Sequence, residues 1–224
     1  MVCAASSPAG ALLVDWGGVL TQPFYAGIAE WAARDGVDAD AFHALLARHL
    51  GPGAPGGAAA SVFHRVERGE VPVAELEVTL AESLRRPDGT GPPAEGLIQR
   101  MFQPFTMAGA MVELVRRVRA SGAAVALLSN SWGHTYDRTG WDGLFDEVVI
   151  SCEVGMRKPE PEIYRYTARR LGVAPRRCVF LDDLGRNVRA AAAVGMTAVQ
   201  HTSVEESSRE LARFFDVSPL PAGR

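Results

Sequence analysis

Short apolar runs alternate with helix-length stretches near the start of the chain and through its second half. The runs are of strand length and lead into small or polar residues: ALLV (11–14), AAVALLS (123–129), EVVIS (147–151), CVFL (178–181) and TAVQH (197–201). Stretches with apolar residues spaced by three and four lie between the later runs, at 109–122, 161–173 and 184–196. This alternation predicts an α/β fold, a Rossmann-like doubly wound parallel sheet covered by helices on both faces.

The region after the first strand breaks this alternation, because it carries helical patterns and no convincing strand. The helical patterns lie at 38–50, 59–69 and 73–86, and the loops at 51–57 and 86–93 separate or follow them. We therefore predict an α/β core formed by 9–22 and 106–205, an inserted helical cap at 23–105, and a C-terminal extension at 206–224.

Composition narrows the classes of protein that the chain can belong to. A length of 224 residues fits one core domain with an inserted subdomain, and 47% hydrophobic with 22% charged residues is typical of a globular protein. The net charge of −3 gives no electrostatic reason to expect nucleic acid or an anionic membrane as partner. No heptad pattern predicts an oligomeric state.

Cysteine usage and the N-terminus favour a cytoplasmic protein. The three cysteines, Cys3, Cys152 and Cys178, are an odd number without a CxxC pair, so we expect no disulfide framework. Cys178 opens an apolar run and is predicted to be a small core residue. The N-terminus has no Lys or Arg before its short apolar run, which is unlike a signal peptide, and no stretch approaches transmembrane length.

Polar residues with catalytic chemistry follow four of the five predicted strands. They are Asp15 after the first, Ser129 and Asn130 at the end of the second, Lys158 after the third, and Asp182, Asp183 and Asn187 after the fourth. In a parallel sheet these side chains converge at the carboxyl edge, where ligands bind. A site of carboxylates, a hydroxyl and a lysine suits a phosphoryl group together with a divalent metal.

The chemistry of these residue types is consistent with phosphoryl transfer. A carboxylate such as Asp15 can attack phosphorus and carry an aspartyl-phosphate, once a Mg²⁺ ion offsets its repulsion of the substrate. Asp15 and Asp183 offer the oxygen ligands that Mg²⁺ prefers. The Ser129 hydroxyl can hold a phosphoryl oxygen, and Lys158 can balance the carboxylates and pair with the phosphoryl charge.

Four segments together resemble the haloacid dehalogenase (HAD) superfamily: VDWGGVLT, ALLSNS, GMRKPEPEIY and VFLDDLGRNVRAAAAVGM, in the order of that family. The likeness is to phosphatases with a small helical (C1-type) cap, with a DxGGV variant of the first motif. It implies a Mg²⁺-dependent phosphatase acting on a small phosphorylated metabolite. The implied roles are Asp15 as nucleophile, Ser129 with Asn130 as phosphate ligands, Lys158 as stabilising base, Asp183 as metal ligand, the Gly17 carbonyl as a further metal ligand, and Asp182 and Asn187 as supporting residues of the acidic motif.

Gly17 stands where the phosphatases of this family usually carry a second aspartate, which protonates the leaving group. Glycine keeps the backbone carbonyl but cannot transfer a proton. Three interpretations follow: a phosphatase for substrates with good leaving groups, such as sugar 1-phosphates, acyl phosphates or aryl phosphates, or with a proton supplied elsewhere; a metal-free 2-haloacid dehalogenase; or a phosphate-ligand binding module without catalysis. Asp182 and Asp183 argue against the dehalogenase, since an apolar halide pocket does not suit two adjacent carboxylates.

Other candidate features are better explained by local structure. GPGAPG (51–56) matches a nucleotide-binding glycine pattern but follows no strand, and its prolines cannot donate to a phosphate. DGT (88–90) is predicted to be a turn. His134 is more typical of a loop histidine than of a catalytic one. The aromatic residues Trp16, Phe24 and Tyr25, the latter two assigned to a loop, suggest a partly apolar entrance to the site.

Overall fold

A five-stranded parallel sheet forms the centre of the molecule. The computed structural model describes residues 9–50, 61–84, 88 and 90–220. The strands are β1 (Ala11–Val14), β2 (Ala124–Ser129), β3 (Glu147–Ile150), β4 (Cys178–Asp182) and β5 (Thr197–Gln200). They pair in the order β3–β2–β1–β4–β5, with every neighbouring pair parallel. The predicted parallel α/β sheet is confirmed, and β1 occupies its middle position.

Helices cover both faces of this sheet, as the doubly wound prediction requires. Alternate residues of a strand point to opposite faces, so Leu12 and Val14 of β1 pack on one side and Leu13 on the other. The helices of the first side are α6 (Gly109–Ala120) and α10 (Val204–Leu211), and those of the second are α8 (Pro161–Arg170) and α9 (Gly185–Ala193). Cys178 is buried on the second side, which confirms its prediction as a core residue.

The helical segment between β1 and α6 contains five helices among its described residues. They are α1 (Phe24–Asp35), α2 (Ala39–Leu50), α3 (Val62–Glu67), α4 (Val73–Ser83) and α5 (Leu97–Phe102). Its two ends lie side by side, because Thr21 forms an antiparallel bridge with Met107 and the amide of Ala108 donates to the carbonyl of Leu20 at 2.7 Å. The segment therefore leaves the α/β part of the molecule and returns to it at one place.

Assigning Phe24 and Tyr25 to a loop was wrong, because both lie in the first turn of α1. Pro23 immediately precedes this helix, and its fixed φ suits a helix start, so the proline that resembles a loop residue in the sequence instead begins the element. The predicted helices also end earlier than their sequence patterns, since α4 stops at Ser83 and α8 at Arg170.

The predicted C-terminal extension at 206–224 begins inside a helix. Helix α10 runs across that boundary, and Leu211 and Phe215 are buried in the core cluster of the first sheet face. The physical reason is that α10 presents an apolar face whose burial requires the sheet, so its residues pack with the core rather than extend from it. The predicted third strand likewise stops at Ile150, because Ser151 begins the short helix α7 (Ser151–Val154).

Two sequence features outside the sheet, DGT (88–90) and GPGAPG (51–56), can also be compared with the structure. Asp88 accepts hydrogen bonds from the backbone and hydroxyl of Thr90, at 2.9 and 2.7 Å, which is the turn chemistry predicted for DGT. The GPGAPG stretch (51–56) and Cys3 lie outside the described residues. Among the helices that are described, none is both long and apolar enough to cross a membrane.

Candidate active site

The polar residues that follow the strands meet at the carboxyl edge of the sheet. Lys158 is 1% exposed, and its Nζ lies 2.7 Å from Asp15 Oδ1 and 2.7 Å from Asp182 Oδ2. Asp15 follows β1 directly, Asp182 ends the adjacent β4, and Lys158 comes from the segment between α7 and α8. The backbone amide of Trp16 also donates to Asp15 Oδ1 at 2.7 Å, so two donors fix the orientation of this carboxylate.

Asp182 is the most completely hydrogen-bonded carboxylate of the cluster. It is fully buried and accepts from Lys158 Nζ, from the backbone amide of Leu184 at 2.8 Å, and from Asn187 Nδ2 at 3.0 Å on each oxygen. These donors occupy both of its oxygens. Its position therefore suits holding Lys158 in place, and the Nδ2 group of Asn187 supports that arrangement.

The cluster holds more negative charge than the lysine balances. Oxygen atoms of Asp15, Asp182 and Asp183 lie within 4.8 Å of one another, and one ammonium group contacts two of the three carboxylates. Burial raises the pKa of Asp183 to about 6, with a further increase from Asp182. Burial also raises the pKa of Asp15 against the opposing attraction of Lys158. Although burial disfavours its charge, the two carboxylates raise the pKa of Lys158, so it stays protonated.

This donor set fits Mg²⁺. The ion prefers carboxylate, carbonyl and water oxygens. A divalent charge would relieve the repulsion from Asp182, which adds to the effect of burial in raising the pKa of Asp183. Because the oxygens of Asp182 are already hydrogen-bonded, Asp15 and Asp183 are the two carboxylates with capacity for the ion. The backbone carbonyl of Gly17, predicted as a third protein ligand, belongs to the residue that follows Trp16 in the same turn.

The two glycines after Trp16 differ in what the fold demands of them. Gly18 has a φ of 75°, and a Cβ there would lie 2.5 Å from Asp183 Oδ2, so a side chain would both strain the backbone and displace the acidic residue. Gly17 has no positive φ, and a Cβ there would meet nothing within 4 Å. The fold thus requires glycine at 18, whereas at 17 it leaves open space where a side chain would fit.

Ser129 and Asn130 end β2 beside the cluster, but their side chains have protein partners. The Ser129 hydroxyl shares a 2.9 Å hydrogen bond with the hydroxyl of Tyr136, whose pKa burial raises, so the phenol stays protonated. The side chain of Asn130 forms two hydrogen bonds with the backbone of Lys158, donating to its carbonyl at 2.9 Å and accepting from its amide at 2.8 Å. Asn130 therefore positions the lysine, and its predicted role as phosphate ligand would fall to its backbone.

His134 packs as a core residue beside the site. It is 7% exposed and stacks on the Phe102 ring at a centroid distance of 3.8 Å. Neither ring nitrogen has a hydrogen-bond partner among the described residues, and burial lowers its pKa to about 3. The imidazole is therefore neutral near pH 7 and held by aromatic contacts.

The site opens into a cavity of about 340 Å³ between the strand ends and the helical segment. Asp15, Gly17, Ser129, Asn130, Lys158, Asp183 and Asn187 all line it, which brings the predicted site residues other than the fully buried Asp182 to one surface. Aromatic and aliphatic side chains from α1, α2, α5 and the segment after β2 line it as well: Phe24, Tyr25, Leu46, Ala47, Phe102 and Trp132. The lining is completed by Trp16, His43, Glu67, Leu184 and Arg186.

A buried ion pair next to Lys158 was not predicted from the sequence. Glu67, the last residue of α3, binds the guanidinium of Arg157 and also accepts from Trp132 Nε1 at 3.1 Å. Both charged residues are more than nine-tenths buried. The pair joins the helical segment to the residue that precedes Lys158. No pattern marks Glu67 in the sequence, since it is one acidic residue among several in a helical stretch.

A family model for haloacid dehalogenase-like hydrolases matches residues 9–195. The chain belongs to this family. That match covers strands β1 to β4, the helical segment and all the residues of the cluster, so the resemblance seen in the four motifs is confirmed. As members of this HAD-like family are hydrolases by description, the chain is a HAD-family hydrolase.

Two curated enzymes are similar to this HAD-family chain over about half of its length. It is 30% identical over 123 residues to the rat (Rattus norvegicus) bifunctional epoxide hydrolase 2, which covers 50% of this chain and 22% of that protein. It is 32% identical over 106 residues to a sesquiterpene phosphatase of Aspergillus oryzae, which covers 45% of this chain and 54% of the relative. The chain thus spans less than two thirds of the length of either relative.

A solved structure of a HAD family enzyme from Bacteroides thetaiotaomicron, in complex with magnesium and inorganic phosphate, has a similar fold. The TM-score is 0.64, with 90% of this chain and 98% of that chain covered, at 21% sequence identity. At this identity the likeness shows the fold, which is the HAD-like arrangement of a parallel sheet with flanking helices.

Proposed function

We propose that this hydrolase is a Mg²⁺-dependent phosphomonoesterase that acts through an aspartyl-phosphate on Asp15. The observation that carries the proposal is the contact of one buried lysine, Lys158, with two carboxylates at the strand ends, beside a third carboxylate that has capacity for a metal. The phosphatase among its relatives and the magnesium and phosphate of its structural neighbour support the same chemistry.

In the first step a carboxylate oxygen of Asp15 attacks phosphorus, and the bond from phosphorus to the leaving oxygen breaks. The oxygen departs with the bonding electron pair and takes a proton from water or a donor. In the second step water attacks the phosphorus of the aspartyl-phosphate, which releases inorganic phosphate and restores the carboxylate. The amide of Trp16 and Lys158 hold the Asp15 carboxylate in one orientation for both steps.

Bound Mg²⁺, held by Asp15, Asp183 and the Gly17 carbonyl, would offset the repulsion between the anionic substrate and the carboxylates. Lys158 adds a fixed positive charge beside the phosphoryl group, and Asp182 with Asn187 keeps that ammonium in position. In this proposal, Ser129 and the backbone at Asn130 bind the phosphoryl oxygens. Residues 23–105 act as the cap over the site in this proposal.

The space at Gly17 indicates which substrates this phosphatase turns over best. With no side chain there to protonate the leaving oxygen, esters of weakly basic leaving groups are favoured, and these include sugar 1-phosphates, acyl phosphates and aryl phosphates. We also propose the cytoplasm as its compartment, on the strength of the free Cys152 and Cys178.

Hydrolysis of p-nitrophenyl phosphate and acetyl phosphate with Mg²⁺, with EDTA, and by Asp15→Asn tests the proposal. We expect release of phosphate that needs Mg²⁺ and disappears in the variant, while the thermal unfolding of the variant shows an intact fold. Turnover in EDTA of 2-haloacids instead would identify a dehalogenase. Binding of inorganic phosphate without turnover of either ester would identify a binding module.

A further inference from the structure

The cavity has a polar side and an apolar side, which come from different parts of the fold. The polar lining residues come chiefly from the ends of the strands, where the phosphoryl group would bind, and from Arg186 and Asn187 in the first turn of α9. The helical segment contributes mainly apolar ones, Phe24 and Tyr25 from α1, Leu46 and Ala47 from α2, and Phe102 from α5. A substrate that places phosphate at the strand ends would therefore place its organic part against aromatic and aliphatic side chains.

Exposed apolar side chains concentrate at this same cavity. Among the described residues, three large hydrophobic side chains are exposed: Tyr25 at 69%, Val78 at 48% and Leu184 at 41%. Tyr25 and Leu184 both line the cavity, although they come from opposite parts of the chain, and Val78 does not. An apolar ligand in the cavity would cover both of them and remove their surface from water.

The few polar side chains that the helical segment adds to the lining offer little to a sugar. Glu67 accepts from Trp132 on one oxygen and from Arg157 on the other. His43 lies on the same face of α2 as Leu46 and Ala47, and its Nε2 has no partner among the described residues. Arg186 of α9 also lines the cavity, where its charge acts on Asp183. One imidazole and one guanidinium cannot replace the water that the several hydroxyls of a sugar would lose, so their burial is unfavourable.

The absence of a side chain at Gly17 narrows the class of substrate further. The leaving oxygen receives no proton from that position, so a leaving group that is stable as an anion is favoured, and a phenolate meets this requirement while an alkoxide does not. A phenolate also carries an aromatic ring, which matches the rings of the cavity wall. The volume of about 340 Å³ is at the lower end of the roughly 300–1,000 Å³ of small-molecule sites.

We propose that the cavity binds the aromatic group of an aryl phosphate monoester. Sugar 1-phosphates, which the leaving-group chemistry at Gly17 alone would favour, are then poor substrates because the apolar cavity does not suit their hydroxyls. This inference rests on the proposed phosphatase activity for its chemistry and on the cavity for its specificity. A fused aromatic ring would lie against Phe24, Tyr25 and Phe102, with its phosphate at Asp15 and Lys158.

The experiment compares four substrates with Mg²⁺: acetyl, phenyl and 1-naphthyl phosphate, and glucose 1-phosphate. Phenol and naphthol are similar leaving groups, so the ratio of their kcat/KM values reports the cavity rather than the chemistry. We expect this ratio to favour 1-naphthyl phosphate by about tenfold, because the second ring buries additional apolar surface. We expect glucose 1-phosphate to be turned over more slowly than either aryl ester.

A matched pair of variants tests the contribution of the aromatic lining of the cavity. Tyr25→Ser removes an exposed ring that lines the cavity, and Val78→Ser removes an exposed apolar side chain on α4 that does not. The naphthyl-to-phenyl ratio should fall severalfold in Tyr25→Ser and stay at the wild-type value in Val78→Ser. A ratio near one in the wild type, or a preference for glucose 1-phosphate, would overturn the inference.

Failure of the proposed function would leave a different signature. If none of the four substrates is hydrolysed, titration calorimetry of the wild-type protein with 1-naphthyl and phenyl phosphate decides the question separately. Tighter binding of the naphthyl ester would retain the aromatic site and reject catalysis. Equal binding of both esters would reject the aromatic site as well.

Discussion

Replacing Gly17 with aspartate should add the proton donor that the site lacks. The fold tolerates the change, because the backbone there has no positive φ and a Cβ would meet no atom within 4 Å. The neighbouring Gly18 gives the opposite case, since a side chain at its φ of 75° would collide with Asp183. Gly17→Asp is therefore expected to fold normally, and Gly18→Ala to lose activity through displacement of Asp183.

The size of the rate increase expected for Gly17→Asp follows from the contribution of a general acid, which the wild type does not have at this position. A positioned general acid contributes about 10²–10⁴-fold, which corresponds to roughly 3–5 kcal/mol of transition-state stabilisation. No steric strain at Gly17 has to be subtracted from this gain. The full effect is expected for alkyl phosphates, whose leaving oxygen needs a proton, and almost none is expected for p-nitrophenyl phosphate.

The assay is the dependence of kcat/KM on the basicity of the leaving group, over a series from p-nitrophenyl to alkyl phosphates. The wild type should lose activity steeply along this series, and Gly17→Asp should lose it less. Gly17→Asn is the control, because it has the same shape and cannot act as an acid. If Gly17→Asp and Gly17→Asn have the same slope as the wild type, proton transfer does not limit this enzyme and the interpretation of Gly17 is refuted.

Two further predictions concern stability. Glu67→Gln leaves the buried Arg157 without its charged partner and should lower the free energy of unfolding by about 3 kcal/mol, whereas Glu70→Gln, at an exposed ion pair, should change it by less than about 1 kcal/mol in urea denaturation. Equal losses in both variants would contradict the importance of the buried pair. His134 has a pKa of about 3 in the folded protein and about 6.5 when unfolded, so the unfolded state binds more protons as pH falls below 6.5 and stability drops. Between pH 7 and pH 5 the wild type should lose about 2 kcal/mol more than His134→Phe, and identical losses would show that the histidine is not buried as described.

The four motifs were enough to locate the candidate site at one edge of the predicted sheet. Each candidate site residue comes after a short apolar run, and the rule that parallel strands end at one edge brings Asp15, Lys158 and Asp182 together. In the structure, Lys158 Nζ lies 2.7 Å from a carboxylate oxygen of each of the two aspartates. The roles of Asp15, Ser129, Lys158 and Asp183 in catalysis stay predictions that the assays above test.

Features that depend on contacts between distant segments were missed or misassigned. Phe24 and Tyr25 lie in a helix because Pro23 can begin one, which a loop-like composition does not reveal. The predicted boundary of the core at residue 205 falls inside α10. The apolar face of this helix is buried by contact with the sheet, and the sequence around it does not show that contact. The fold brings the backbone of Lys158 within reach of the Asn130 side chain, a contact that the sequence does not indicate, and the role of Asn130 as a phosphate ligand stays a prediction.

Local patterns in the chain determined the α/β class, the family and the edge of the sheet at which the chemistry lies, because strand length, helix period and motif order are properties of neighbouring residues. Tertiary packing alone distinguishes Gly18, which the fold requires, from Gly17, which it does not, since that depends on the distance to Asp183 and on empty space. Packing also determines which carboxylate holds the lysine, which can hold a metal, and which aromatic side chains line the cavity. These properties arise from residues far apart in the chain that folding brings into contact, and no local pattern records them.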